Sequence, residues 1–218
     1  MTSRTQRTTP TRYAERVSDS NVAELHRLLD ESRIGHVGFV VESGQPVVLP
    51  IAIARDGADV LMHGSTGSSW LRRLSQGVPV SLAVTALDAL VVARSAFESS
   101  MRYRSAVLFG SCQPVLDPEE KARALDTLTD SLIPGRVAEV RPASDKELAA
   151  TQVLRLTVED YSIKISQNWP DDPPEDVDGP AWAGVLPTQT RYIAAWPAPD
   201  LVDGIGLPPS VRALLPPD

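Results

Sequence analysis

Apolar positions first acquire a period at Asn21. From Asn21 to Ser32, Val22, Leu25, Leu28 and Leu29 recur at the spacing of one helical face. Asn21 followed by Glu24 has the form of a capping box, so a helix is predicted here, ended by Gly35. The period then shortens to two. His36–Val41 and Val47–Ala54 are β-branched and apolar, with the turn residues Glu42-Ser43-Gly44 between them. Asp56-Gly57 is a hairpin signal that introduces a third strand, Asp59–His63. A short helix is predicted between Gly64 and Gly77. Val78–Ala86 and Ala89–Ser95 read as two further strands broken at Leu87-Asp88, and Tyr103–Val115 as a sixth.

The second half mixes periods. Asp117-Pro118-Glu119-Glu120 places a capping aspartate, a first-turn proline and two carboxylates at a helix start. Ala122, Leu125, Leu128 and Leu132 form its expected buried stripe, and Pro134-Gly135 stops it. Ser144-Asp145-Lys146-Glu147 opens a short helix by a capping box. Val153–Val158 alternates Leu154, Leu156 and Val158 inward with Arg155 and Thr157 outward. Glu159-Asp160 is expected to turn the chain into a similar strand, Tyr161–Ser166. Many short strands with few, non-alternating helices predict a mainly β fold, an antiparallel barrel with flanking helices. A Rossmann fold is excluded, because strand–helix alternation and a G-x-G-x-x-G loop are both missing.

The ends have another character. Residues 1–20 hold Arg4, Arg7, Arg12 and Arg16 among threonines, with few apolar residues, and are expected to be a flexible tail. Residues 21–166 form the expected barrel domain. Residues 167–218 are rich in Pro and Asp and read as an extended arm around an apolar island, Trp182-Ala183-Gly184-Val185-Leu186-Pro187.

Charge and composition narrow the function. A net charge of −7 argues against nucleic-acid binding. No run has the length of a membrane span or the form of a secretory signal, which makes a cytoplasmic protein the expectation. Cys112 is the single cysteine and is read as a packed residue. His26, His36 and His63 fit no metal-ligand spacing, so no metal site is expected.

Two loops carry candidate chemistry. In Leu61-Met62-His63-Gly64-Ser65-Thr66-Gly67-Ser68-Ser69-Trp70-Leu71-Arg72-Arg73-Leu74, a strand end passes through glycines and hydroxyls into a helix. Such a loop offers backbone amides, hydroxyl donors and the Arg72 guanidinium to a phosphate. It fits a serine-capped surface helix equally well. Arg94–Ser105 places Arg94, Arg102 and Arg104 among four serines between two strands, which is either a polar hairpin or a second set of binding groups.

Together these segments resemble the pyridoxamine 5′-phosphate oxidase-related, FMN-binding split-barrel family, and within it the branch of nitroimidazole-resistance and flavin-nucleotide-binding proteins. The resemblance rests on Met62-His63-Gly64-Ser65, Ser68 with Arg72, Val84–Phe97 and Ser100-Met101. It continues through Tyr103-Arg104-Ser105, Phe109-Gly110, Pro134-Gly135-Arg136, Lys164 and Trp182–Pro187. It implies a six-stranded antiparallel split β-barrel, a homodimer and FMN at the subunit interface. It further implies that Ser68 and Arg72 hold the FMN phosphate, with Pro50, Ile51, Leu61, Met62 and His63 along the ring and ribityl chain. Arg104 and Ser105 would be additional polar contacts. Trp182 would be buried near the flavin, brought by the arm to the flavin site or the dimer interface. Relatives often carry histidine where this chain has Glu98 and Ser99, which leaves His63 as the candidate catalytic group.

The activity so implied is an FMN-dependent oxidoreductase passing electrons or hydride between reduced flavin and a small planar substrate such as a nitroaromatic or a quinone. The alternatives are a non-catalytic flavin-binding, storage or sensor protein, and a split barrel that uses deazaflavin or haem.

Overall fold

A computed structural model describes residues 17–18 and 22–217. The predicted flexible tail therefore lies outside the described residues except for β1, Val17–Ser18, which pairs with Lys164 and Ile163. The predicted cap residue Asn21 also lies outside them.

Helix α1 spans Val22–Glu31 and buries Leu25, Leu28 and Leu29, the stripe read from the sequence. Gly35 does not end it. Gly35 lies inside β2 (Ile34–Val40), where a Cβ would meet Leu82 Cδ1 at 2.8 Å. The sheet continues with β3 (Pro46–Asp56) and β4 (Asp59–Ser65), then α2 (Ser69–Leu74). Two predicted breaks are absent. Most of Val78–Ala86 and Ala89–Ser95 lies in one strand, β5 (Pro79–Val92), which stops short of Ala93–Ser95, and Leu87-Asp88 marks only a bulge against β6 (Ser100–Pro114). Likewise Glu159-Asp160 is a bulge inside β7 (Thr151–Ser166) rather than a turn. A bulge inserts one residue and bends the strand while pairing resumes beyond it, so a local turn signal in the sequence produces curvature.

Antiparallel pairing runs β2–β3–β4–β7–β6–β5 and returns from β5 to β2. The expected six-stranded barrel is observed, and closure leaves no free edge among these strands. Inward residues Val37, Ile53, Val60, Met62, Leu82, Val84, Leu108, Cys112, Leu154 and Leu156 fill it together with the buried face of α1. Cys112 is fully buried, in agreement with its reading as a packed residue.

Helix α3 (Pro118–Leu132) covers the outer side of β3, β4 and β7. Its Asp117 cap accepts from the Glu120 amide at 2.8 Å. Ala124 and Leu128 are its buried residues, packed on Ala54, Leu61 and Val153, with Leu125 partly buried beside them. The stripe is thus rotated from the predicted one, and Ala122 and Leu132 lie at its margins. A 3-10 turn, Val137–Glu139, leads to α4 (Asp145–Ala150), whose predicted capping box is present.

The last segment is not a free arm. Short helix α5 (Pro174–Val177) precedes β8 (Gly184–Pro187), which pairs with β5 from Ala89 to Val92. Short helix α6 (Pro209–Arg212) is tied back by Ser210, whose amide and hydroxyl both donate to Glu139. Among the described residues no helix is long and apolar enough to cross a membrane.

Candidate cofactor site

The β4–α2 loop is shaped by a close approach. A Cβ at Gly64 would stand 2.7 Å from Leu71 Cδ1, and Leu71 is fully buried. The Thr66 amide and Oγ1 donate to Ala150 O at 3.0 and 3.2 Å, and the Gly67 amide donates to Ser65 Oγ at 3.1 Å. Ser68 occupies the N-cap position of α2 but makes no side-chain capping bond. The serine stands at the cap of the helix, as the surface-helix reading has it, but without the capping bond. The Ser68 hydroxyl and the first amides of α2 stay available to a ligand. Arg72 folds back over the loop, its Nη1 donating to Thr66 O at 3.1 Å and Gly67 O at 2.9 Å. Both bonds use Nη1, which leaves the Nε and Nη2 edge of the fork to grip an oxyanion. Arg73 turns the other way, donating to Gln76 Oε1 at 3.0 Å and lying 4.0 Å from Glu42.

Beside the loop lies an outward floor of three strands. His36 of β2 is opposite Pro50 of β3 and Ala83 of β5. On the next strand pair Ile53 is opposite Met62, which sets Ala52 beside His63. His36, Pro50, Ala52 and His63 therefore share one face. Burial lowers the His63 pKa below the usual histidine value, so the imidazole is neutral near neutral pH. Its Nδ1 is buried and has no hydrogen-bond partner among the described residues. Such an orphan is costly unless a bound group or a second chain satisfies it.

The other expected ring contacts divide by the alternation of the strands. Ile51 and Met62 point inward and belong to the core packing, and Leu61 points outward but is sealed beneath α3. Leu61 and Met62 expose none of their surface, which removes their side chains from the expected lining. Pro50 is exposed and His63 is half-buried, and these two remain accessible.

Arg104 is engaged within the chain. It lies 2.9 Å from Asp88 and 2.7 Å from Glu31 of α1, and these carboxylates raise its pKa above the usual guanidinium value. Its charge is already matched twice, so it closes the barrel end under α1. Ser105 faces outward between Thr85 and Lys164, whereas His63 pairs with Val153, and these partners sit toward opposite ends of β7. Trp182 is 63% exposed in the single chain, so it is not buried by its own subunit. One chain thus assembles Pro50, His63, Ser68 and Arg72, and separates them from Arg104, Ser105 and Trp182.

Within the Arg94–Ser105 segment the serines bond to the segment's own backbone, whereas Arg94 and Arg102 donate to Asp172 and to Asn168 O of the C-terminal segment. Ser99 Oγ donates to Ser95 O at 3.0 Å and accepts from the Ala93 amide at 3.2 Å, and the Glu98 amide donates to Ser95 Oγ at 3.2 Å. Sequence reasoning missed His36 as part of the floor and Asp172 as a buried anchor. The first needed the β2–β3 register, and the second was hidden in an acidic, proline-rich run. Among the described residues no group of three or more His, Cys, Asp or Glu is placed to hold a metal ion.

The comparisons with known proteins bear on this geometry. A model of the family described as pyridoxamine 5′-phosphate oxidase matches residues 21–165. The chain is similar to a solved structure of the FAD and haem binding protein from Mycobacterium smegmatis. Identity is 48%, 91% of this chain and 97% of that one are covered, and the TM-score is 0.86. It is also similar to a flavocytochrome from Azotobacter vinelandii, at 31% identity, with 96% and 97% coverage and a TM-score of 0.86. A protein from Bacteroides thetaiotaomicron named for resistance to 5-nitroimidazole antibiotics shares the fold at 19% identity, over 67% of this chain and 86% of that one, with a TM-score of 0.57. No match is found among curated proteins.

Proposed function

The chain belongs to the pyridoxamine 5′-phosphate oxidase family, and from that premise we propose that it binds a flavin nucleotide and acts as an oxidoreductase on a small planar substrate. The observation that carries the reading is the adjacency of the β4–α2 loop to the His36–Pro50–Ala52–His63 floor. The loop suits a phosphate: an uncommitted Ser68 hydroxyl, open α2 amides and the free edge of Arg72 converge there. The floor suits a flat ring, because Pro50, Ala52 and Ala83 are small and apolar, and the orphaned His63 Nδ1 offers one polar group to a ring edge. FMN is the smallest cofactor that occupies both. A bound flavin supplies reversible electron exchange, and the protein supplies binding, orientation and exclusion of water.

A homodimer completes the site in this reading. The outward rows of β2 and β3 place Ile34 opposite Ala52, Gly38 opposite Val48 and Val40 opposite Pro46. Ile34, Val40 and Val48 are 56%, 50% and 65% exposed, an apolar face suited to a second copy. Ser105 and Trp182 would then reach the flavin from the partner.

A second reading adds haem. It is favoured by the two relatives that match nearly the whole chain, one named for FAD and haem and the other a flavocytochrome.

The absorption spectrum of the purified full chain tests both readings. Flavin bands alone support the first, and flavin bands with a Soret band support both. A colourless protein that takes up no added flavin contradicts them.

A further inference from the structure

A cavity of about 800 Å³ lies away from the flavin floor, and none of Pro50, His63, Ser68 and Arg72 lines it. The C-terminal segment forms most of its wall, and Arg136 and Glu139 reach it from the 3-10 turn and its cap. The volume lies within the range of small-molecule sites.

The sequence explains why this segment encloses a hollow instead of collapsing. Between β8 and α6 the chain forms no helix or strand. Pro197, Pro199, Pro208 and Pro209 fix its backbone, so it is ordered at low entropic cost without packing its side chains on one another. Bends at Ala198 and Val202 carry it round, their carbonyls accepting from the Leu201 and Ile205 amides at 3.0 and 3.4 Å. Both ends are tied down. The Thr188 amide donates to Asp88 O at 2.9 Å, and Ser210, buried within α6, donates twice to Glu139. The Ser210 bonds hold the Glu139 carboxylate below its usual pKa, so this latch stays ionised and closed near neutral pH.

Two observations point to a ligand. The apolar wall is left open: Trp196 is 85% and Ile205 57% exposed, and Leu201 and Leu207 are exposed beside them. The second observation is Arg136, a residue marked in the sequence that the flavin reading does not use. Its Nη1 donates to Glu139 at 3.2 Å, and its Nε and Nη2 have no hydrogen-bond partner among the described residues. An apolar hollow with one open guanidinium edge matches a molecule with a hydrocarbon body and a single carboxylate.

We propose that this cavity binds a fatty acid, with the carboxylate on Arg136 and the acyl chain between Trp196, Leu201, Ile205 and Leu207. A concave wall of this size suits a narrow chain better than the broad face of a second copy. The proposal stands independently of the flavin reading.

The test is calorimetric titration of the full chain with decanoate, decanol and decyltrimethylammonium below micellar concentrations. Decanoate is expected to bind once per chain, at least tenfold more tightly than decanol, and the cation weakest of the three. R136Q is expected to abolish the preference for decanoate while leaving decanol within about twofold. Glu139 keeps both Ser210 bonds in that variant, so the latch persists. A195W, which fills the hollow without touching the charge, should weaken both ligands at least tenfold. Failure of decanoate to bind overturns the assignment, as does a preference that survives R136Q or binding of the cation as tightly as the acid. Dissociation of an oligomer by A195W with decanoate affinity unchanged assigns the hollow to a second copy and overturns it too.

Discussion

The Asp172 carboxylate clasps Arg94 twice, accepting from its backbone amide at 2.7 Å and from its Nη1 at 2.9 Å. The Asp172 side chain is 1% exposed, so an acidic, proline-rich segment is anchored by a partly buried ion pair just past the end of β5. Together with β8 on β5 and the Arg102 guanidinium 4.9 Å from the Trp169 ring, this pair seats the C-terminal segment on the barrel. D172A leaves the Arg94 amide and guanidinium unsatisfied, at a cost of about 2–4 kcal/mol to that docking. Limited proteolysis should then cut within residues 168–187 at least tenfold faster than in the wild-type chain, while the barrel stays intact.

Gly110 stands where β6 meets the bulge in β7. A Cβ there would lie 2.0 Å from Thr157 O, a backbone atom that cannot step aside without breaking the ladder. G110A is expected to destabilise the fold by about 3 kcal/mol or more, read as a lower urea midpoint.

The Cys112 thiol is fully buried, and burial pushes its pKa up to about 12. The native protein should not react with a disulfide reagent at mildly alkaline pH, and one equivalent should react on unfolding. Fast reaction of the native chain would show that the barrel interior opens.

His63 provides a pH signature. Its folded-state pKa is lowered by burial, so below the ordinary value of 6.5 the unfolded chain binds a proton that the folded chain does not. The stability associated with its neutral form is complete above that pH and is lost as pH falls through the folded-state value. H63N should flatten this part of the stability–pH profile. A slope unchanged by the substitution would mean that another group titrates there.

The exposed apolar row of β2 and β3 gives a test of assembly. V48R places a charge at a residue that is 65% exposed in the single chain, so the monomer should fold with little change. Sedimentation should show a dimer for the wild-type chain and a monomer for V48R.

The parts legible in the sequence were those set by local pattern. The Leu25–Leu28–Leu29 stripe, the Asp117 cap, the Ser144–Glu147 capping box and the alternation of Leu154 and Leu156 all appear where the spacing placed them. The breaks at Leu87-Asp88 and Glu159-Asp160 misled, because a bulge and a turn draw on similar residues and differ only in whether pairing resumes beyond them. The candidate site was legible as a loop but not as a face. Which strand residues look outward depends on register and on where α3 sits, so Leu61 and Met62 were placed along the flavin by resemblance and His36 was overlooked. Arg104 read as a binding cation because its partners, Asp88 and Glu31, are distant in sequence.

The most direct test of the account is a titration of FMN into the flavin-stripped full chain and its R72A variant, followed by calorimetry. Arg72 is the one cation on the loop whose fork faces the proposed phosphate, so its loss should weaken FMN by roughly tenfold to a hundredfold with the circular dichroism spectrum unchanged. Wild-type affinity in a folded R72A chain would contradict the assignment of the loop as the phosphate site.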